Sequence, residues 1–593
     1  MNTQQHKPVS ATGRVSTVTA AVALACLSFA GSAHAFRFGE TDGLRGSFDT
    51  TLSFGVISRA SNADCRMIGN DNGGCNNGTN NELQRKQGSN GYANADFNYL
   101  NFDDGNLNYS KGDMVSAALK GTHDISLRYP GGWSALGRVT WFHDFQADQT
   151  RRTGVTESSA TGQASLLDAW IAKEFDLGGE TAKVKLGNQV LSWGEDIFIL
   201  GGVNQMNALD IQKFHVPGTQ LKEIFIPAPM LSLAAGLGNG FSMEAYYQFR
   251  WNSFKFDPVG TFFSGADVVG KGNRMAYLPT SVCNDFGLTG PCGDQTGLTD
   301  AARIANGSGI PYLGQREPKN SGQYGVNLRY FAEEIDTEFS FVYQRYHDKL
   351  PFLGFTGTSA GSVTGYFLAY GEDRDLYAVA LNTKAGPVAV GAELSYRPRD
   401  SVGVDPTVPF GAALGGGAFD KNSVYDVGSH PGYVEEEKWQ FHLTGFYTFG
   451  HNDPLGGLAK ALGAADGFIL AEAAVAHYPG LDRSGKIPYF LPNYALPDRT
   501  SWGYVTEIGI NYPNAFGSGI TLTPQIDWYH DVSGTSPNTI PFVAGRRAAA
   551  LSLLFNYRDS VKGSIQYVNF SGGGANNLAR DKDFFGASIS YSF

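Results

Sequence analysis

Phe585-Gly586-Ala587-Ser588-Ile589-Ser590-Tyr591-Ser592-Phe593 is the stretch whose reading decides the fold. Successive strand side chains point to opposite faces, so Phe585, Ala587, Ile589, Tyr591 and Phe593 share one face and Ser588, Ser590 and Ser592 the other. A strand ending on an aromatic residue is out of place in water, where chain ends fray. It suits the last strand of an outer-membrane barrel, apolar toward lipid and polar toward the lumen. Phe585, Ile589, Tyr591 and Phe593 are therefore read as the signal by which a barrel-assembly machinery would recognise the chain.

The other end agrees. Lys7 and Arg14 precede an apolar run over 15–30, and Gly31-Ser32-Ala33-His34-Ala35 offers a small-x-small cleavage site. This pattern predicts a secretory signal peptide over residues 1–35, with Phe36 as the new N-terminus. A lipoprotein anchored at Cys26 is the weaker reading, because Ala23 stands where a lipobox wants leucine and apolar sequence continues past the cysteine. Cleavage removes two basic residues and no acidic one from a chain of formal charge −11. An acidic chain without a basic tract is no nucleic-acid binder.

Beyond residue 35 no run approaches the ~20 apolar residues of a membrane helix, which excludes a helical membrane protein. Forty Phe, 28 Tyr and 76 Gly favour strands and tight turns. Residues 46–58 alternate Phe48, Thr50, Leu52, Phe54, Val56 against Ser47, Asp49, Thr51, Ser53, Gly55, a first strand of barrel type. Further strands are expected near 114–129, 133–145, 324–331, 339–346, 388–396, 439–449, 502–512, 520–528, 548–557 and 561–567. Tight turns such as Pro130-Gly131-Gly132, Gly178-Gly179-Glu180 and Gly238-Asn239-Gly240 separate them on one side. Long polar loops separate them on the other. The fold expected for 36–593 is a single all-β transmembrane antiparallel barrel of about 18 strands, or 16 or 14 if weak segments are loops. Two aromatic girdles support it: Tyr129, Phe331, Phe449, Tyr512, Tyr557 and Phe593 at the short-turn boundary, and Trp251, Trp439, Trp502 and Trp528 at the other.

Cys65 and Cys75 lie in one Asn/Gly-rich loop, and Cys283 and Cys292 in another. Two local disulfides suit an oxidising compartment, although four cysteines allow three pairings; the spacings are not those of zinc sites and no histidine lies near.

Strand parity sorts the wall. In 241–251 Phe241, Met243, Ala245, Tyr247 and Phe249 would face lipid, and Ser242, Glu244, Tyr246, Gln248 and Arg250 the lumen. The same parity turns Asp49, Arg138, Lys185, Arg329, Glu393, His442, Glu507 and Asp527 inward. Gln189 leads into Trp193, Glu195 and Asp196, and then into an amphipathic stretch with Asp210 and Lys213 that lacks clear strand to about Pro229. A loop mixing polar and apolar residues over such a length packs on something. For 194–229 an inward-folded constriction, an outer lid and a misread strand pair all remain open. Gln189, Trp193, Glu195, Asp196, Asp210, Lys213, Arg138, Glu244, Arg329, Glu393 and Asp527 are the lumen or constriction candidates.

Several separated motifs resemble a proteobacterial outer-membrane family known only as domain-of-unknown-function family 1302. They are Asn101–Tyr109 with Lys111-Gly112-Asp113, Gly187–Gln189 with Trp193-Gly194, Pro217-Gly218, His530–Gly534 and the ending Asp581–Phe593. The resemblance covers essentially all of the mature chain. It implies an outer-membrane location and a barrel surrounded by lipid and lipopolysaccharide, with a weak link to movement of hydrophobic compounds across the envelope.

Chemistry has little to stand on. Asp103-Asp104-Gly105-Asn106 with Asp113 offers oxygen ligands for calcium, but not the alternating ladder of a calcium loop, and an Asx-rich turn explains it. His530, Asp531 and Ser533 are triad types, yet neighbouring strand residues face opposite ways. No cofactor or metal is expected. The leading expectation is a channel or transporter for a small solute, hydrophobic ones included. In the second, Pro524 within a strand would mark a lateral gap. In the third, the disulfide-stapled loops of a structural or adhesive barrel do the binding. An enzyme finds no supporting site.

Overall fold

The alternation seen at the C-terminus runs through eighteen strands that close on themselves. The first six are β1 (Arg45–Arg59), β2 (Met114–Tyr129), β3 (Trp133–Asp144), β4 (Gly162–Leu177), β5 (Glu180–Gln189) and β6 (Ala228–Gly238). Then come β7 (Phe241–Gln248), β8 (Gln323–Ala332), β9 (Thr337–Tyr346), β10 (Arg374–Ala385), β11 (Val388–Gly403) and β12 (Tyr433–Gly450). The last are β13 (Asp466–His477), β14 (Thr500–Asn511), β15 (Ile520–Ser533), β16 (Arg547–Tyr557), β17 (Val561–Ser571) and β18 (Phe584–Ser592). The computed structural model describes residues 36–593 apart from 40–41, 77–94, 153–154, 156, 286, 289–290, 295–296, 358–362, 406–427 and 486. The expected signal peptide and Cys26 lie outside the described residues.

Every strand pairs antiparallel with its sequence neighbours, and β18 closes the ring on β1 from Thr51↔Ser592 to Arg59↔Phe584. Phe593 still belongs to the ladder: its N–H donates to Thr50 O at 2.8 Å and its carbonyl accepts from Thr50 N at 2.7 Å. A short strand, Phe36–Gly39, covers the remaining edge of β1 below it.

The burial pattern inverts that of a water-soluble protein. Phe48, Ile171, Leu186, Phe341, Val379 and Leu394 are exposed on the outside, whereas Thr122, Asn327, Gln344, Glu393, Gln440 and Glu472 are buried on the inside. An apolar exterior belt around a polar interior is the wall of an outer-membrane barrel. Among the described residues no helix is long and apolar enough to cross a membrane.

Three details differ from the sequence reading. β11 and β12 run past Tyr396 and begin before Trp439, because their outer ends carry Arg397, Asp400, Glu435 and Lys438 and so lose the alternation. The girdles are less uniform than expected. Phe331 shares the inward parity of Arg329, Phe449 is buried, and Trp251 is buried, donating to Asp348 O at 3.1 Å and packing edge-on against Tyr370. Pro524 leaves the ladder with β16 continuous and interrupts only that with β14, which stops at Gly509↔Gln525 and resumes at Tyr512↔Leu522. A proline lacks the N–H such a rung needs.

The long loops fold together on the outer side. A five-stranded sheet, Met275–Tyr277, Gly309–Arg316, Val363–Ala369, Phe352–Gly357 and Gly428–His430, draws on loops after β7, β9 and β11. Phe97, Val268, Leu278, Ile310, Phe355 and Tyr366 form its apolar core. The cysteines pair locally, Cys65 with Cys75 and Cys283 with Cys292.

Candidate functional site

A ring of eighteen strands is wide enough to hold an aqueous passage unless something fills it. The segment between β5 and β6, residues 190–227, meets the inward face of the wall. Local rules account for part of its fold. Asp210 caps the turn Ile211–His215 by accepting from Lys213 N at 3.1 Å. Gln220 and Glu223 form a capping box for Leu221–Ile224, and Ala208–Leu209 pairs with Phe225–Ile226. The donors left over go to the barrel.

On one side wall carboxylates receive the segment's backbone. Glu393 of β11 accepts from Val203 N at 2.8 Å and Glu195 N at 3.1 Å. Glu472 of β13 accepts from Ile197 N, Phe198 N and Ile199 N at 3.1, 2.5 and 3.1 Å, and its other oxygen lies 2.7 Å from His442 Nδ1. Leu200 O and Gly201 O accept from Gln440 and Arg397.

On the other side the polarity reverses. Glu223 belongs to the segment and is 1% exposed; Lys120 and Thr122 of β2 both donate to it. Lys120 Nζ also donates to Gly218 O at 2.7 Å, and Lys222 pairs with Asp124 of β2 at 3.0 Å. Pro217 lies so close to Gly55 of β1 that a Cβ there would stand 2.5 Å from it. β2 and β11 are half the ring apart, so the segment is held at both ends of a line across the barrel.

The sequence candidates distribute unevenly. Trp193, 4% exposed, donates from Nε1 to Glu244 at 2.7 Å and packs on Tyr246 with ring centres 5.2 Å apart. Glu244 also binds Arg329 at 2.8 Å. Glu195 accepts from Asn382 Nδ2 at 3.2 Å, and Asp196 from Asn204 Nδ2 at 2.8 Å. Lys213 lies 3.9 Å from Asp210, which Lys255 approaches at 3.7 Å. Gln189 bonds to β6 through Met230 O at 3.0 Å and Ser232 Oγ at 2.8 Å, and so belongs to the wall. Arg138 joins Asp124 at 2.8 Å to Asp168 at 2.7 Å. Asp527 stands opposite Glu507 across the β14–β15 ladder.

Glu472, Lys120 and Glu223 were missed. For Glu472 and Lys120 the available signal was a charge between small or apolar neighbours, Ala471-Glu472-Ala473 and Leu119-Lys120-Gly121.

Toward the short-turn end the lumen opens into a vestibule of about 510 Å³ lined in part by Phe331, Glu338, Asn382, Phe446 and Thr448. The triad types do not converge. Asp531 is held by Arg546 at 2.6 Å and Val543 N at 2.9 Å, while His530 meets the rings of Trp528 and Tyr504. Asp113 is drawn away from Asp103 and Asp104 by Ser110 N and Arg151, each at 2.7 Å.

A family model described as a protein of unknown function, DUF1302, matches residues 16–593. No curated protein matches the chain. Among solved structures, the chain is similar to OccAB1 of Acinetobacter baumannii, at 9% identity and TM-score 0.40 over 92% of this chain and 96% of that one. OpdK of Pseudomonas aeruginosa gives 8% and 0.39 over 92% and 98%. OmpF of Salmonella typhi, in complex with daunomycin, gives 8% and 0.34 over 94% and 100%.

Proposed function

The chain belongs to the DUF1302 family, and for this member we propose an outer-membrane channel for a small solute in which 194–227 folds inward as the constriction, Ala228 and Pro229 already belonging to the wall strand β6. The observation that carries this reading is the double anchorage: carboxylates of β11 and β13 hold one part of the segment, and Lys120 of β2 holds another. Backbone buried in this way needs partners, and a lining that supplies them at opposite walls fixes the segment across the path. Gaps beside it set what passes.

Phe331 and Phe446 stand beside Glu338, Asn382 and Thr448 in the vestibule, which favours a solute with an apolar body and a polar group. The alternative, a barrel whose stapled loops bind partners, draws less support, because the loops turn their apolar residues into a shared core.

Planar-bilayer recording of the refolded barrel, with solute flux into proteoliposomes, tests the reading. Discrete conductance steps that small amphipathic solutes reduce from the short-turn side are expected. A correctly folded barrel that neither conducts nor passes any of them overturns it.

A further inference from the structure

Away from the lumen, within the outer loops, four carboxylates gather from two distant parts of the chain. Asp103 and Asp104 follow β1, and Asp267 and Asp294 follow β7. One oxygen from each of Asp103, Asp104 and Asp294 lies within 4.8 Å of the others. Asp267 comes against them: its Oδ2 accepts from Asp104 N at 3.4 Å. Its Oδ1 is buried with no hydrogen-bond partner, in a residue only 6% exposed.

Burying carboxylates together is costly unless something of opposite charge joins them. Burial, and then the neighbouring acids, push the carboxyls of Asp103 and Asp267 well above their ordinary range. Two hydrogen-bond donors face Asp103, Gly69 N at 2.8 Å and Asn72 Nδ2 at 3.2 Å. Among the described residues no lysine or arginine forms an ion pair with Asp103 or Asp267. Lys582 donates to Ser264 O at 2.6 Å, and Arg303 to the carbonyls of Gly293 and Asp294.

We infer that Asp103, Asp104, Asp267 and Asp294 form a calcium site that fastens the loop after β1 to the loop after β7. Calcium takes oxygen ligands at about 2.3–2.6 Å, so ligands on opposite sides of one ion are about 4.8 Å apart. An all-carboxylate set without cysteine or histidine does not suit zinc. Magnesium keeps much of its water and asks for shorter distances, which a buried set of side chains from two loops meets less readily. The free Oδ1 of Asp267 supplies the acceptor that no protein donor uses. The ion would fasten the disulfide-bearing segments across the same junction at which Thr280 N donates to Asp71 at 2.7 Å.

The test uses the purified full-length barrel in detergent after treatment with EDTA. Calcium is titrated by calorimetry, and terbium luminescence, with calcium as competitor, serves as the second probe. One saturable site with an affinity of about 0.1–1 mM is expected, as for extracellular calcium modules. Asp103→Asn and Asp267→Asn should each weaken it by about tenfold or more, while Asp113→Asn, outside the cluster, leaves it unchanged. Calcium should also slow proteolysis of the loops in the parent protein, with heat-modifiable gel migration reporting that each barrel is folded. Absence of saturable calcium binding in the parent protein overturns the inference, whatever the variants do. So does unchanged binding in both folded variants.

Discussion

The two anchors of segment 190–227 solve one problem with opposite chemistry. At β11 and β13 the charge sits on the wall, and Glu393 and Glu472 gather five backbone N–H groups that never titrate. At β2 the wall supplies the cation, and the segment brings a buried carboxylate of its own, Glu223. The first anchor spreads two carboxylates over five weak donors and degrades gradually. The second concentrates two charges in one contact, and loss of either partner strands the other.

Lys120→Met should therefore have the largest effect. Leaving Glu223 buried without its cation costs about 3–5 kcal/mol, measured as a loss of segment stability in urea titrations followed by protease susceptibility of 190–227. Adding Glu223→Leu should recover most of that loss; no recovery would show that Lys120 acts through something other than the pair.

Glu472→Gln comes next, at about 2 kcal/mol, because a neutral amide still offers one oxygen but forfeits the charge assistance to three N–H groups. Frequent brief openings in single-channel records would be its sign, and quiet records like those of the parent protein would count against the first anchor. Trp193→Phe keeps the ring on Tyr246 but removes the bond to Glu244, worth about 1–2 kcal/mol, with a modest rise in conductance. Lys222→Gln should be nearly silent, below about 1 kcal/mol, because that lysine is 37% exposed in its pair with Asp124.

The same contrast explains what could be read in the sequence. Wall residues were legible because period two is a local rule: the face shared by Glu244, Arg329 and Glu393 follows from counting along each strand. The closing strand was legible for the same reason, Ser588, Ser590 and Ser592 turning inward and Phe593 outward. Phe331 departs from the expected girdle because an aromatic residue at a strand end satisfies that expectation whichever way it points, and the parity of Arg329 two positions before it turns Phe331 inward. What the anchors hold was not legible, because the partners of Glu393 and Glu472 are backbone N–H groups, present at nearly every position and announced by no side chain. Nor was the acidic cluster: Asp103 and Asp104 were visible together, but Asp267 and Asp294 reach them only once the outer loops fold, and Asp113, close in sequence, goes elsewhere.

The most direct measurement is single-channel recording of the parent barrel beside a variant in which residues 192–226 are replaced by a short Gly/Ser linker between β5 and β6, with heat-modifiable migration confirming that both barrels are closed. On the proposed reading, a barrel of this size that lacks the segment should conduct several-fold more current and lose the effect of amphipathic solutes. Equal conductance in the two proteins would contradict the account, placing the narrowest passage in the outer loops and leaving 190–227 as a structural strut.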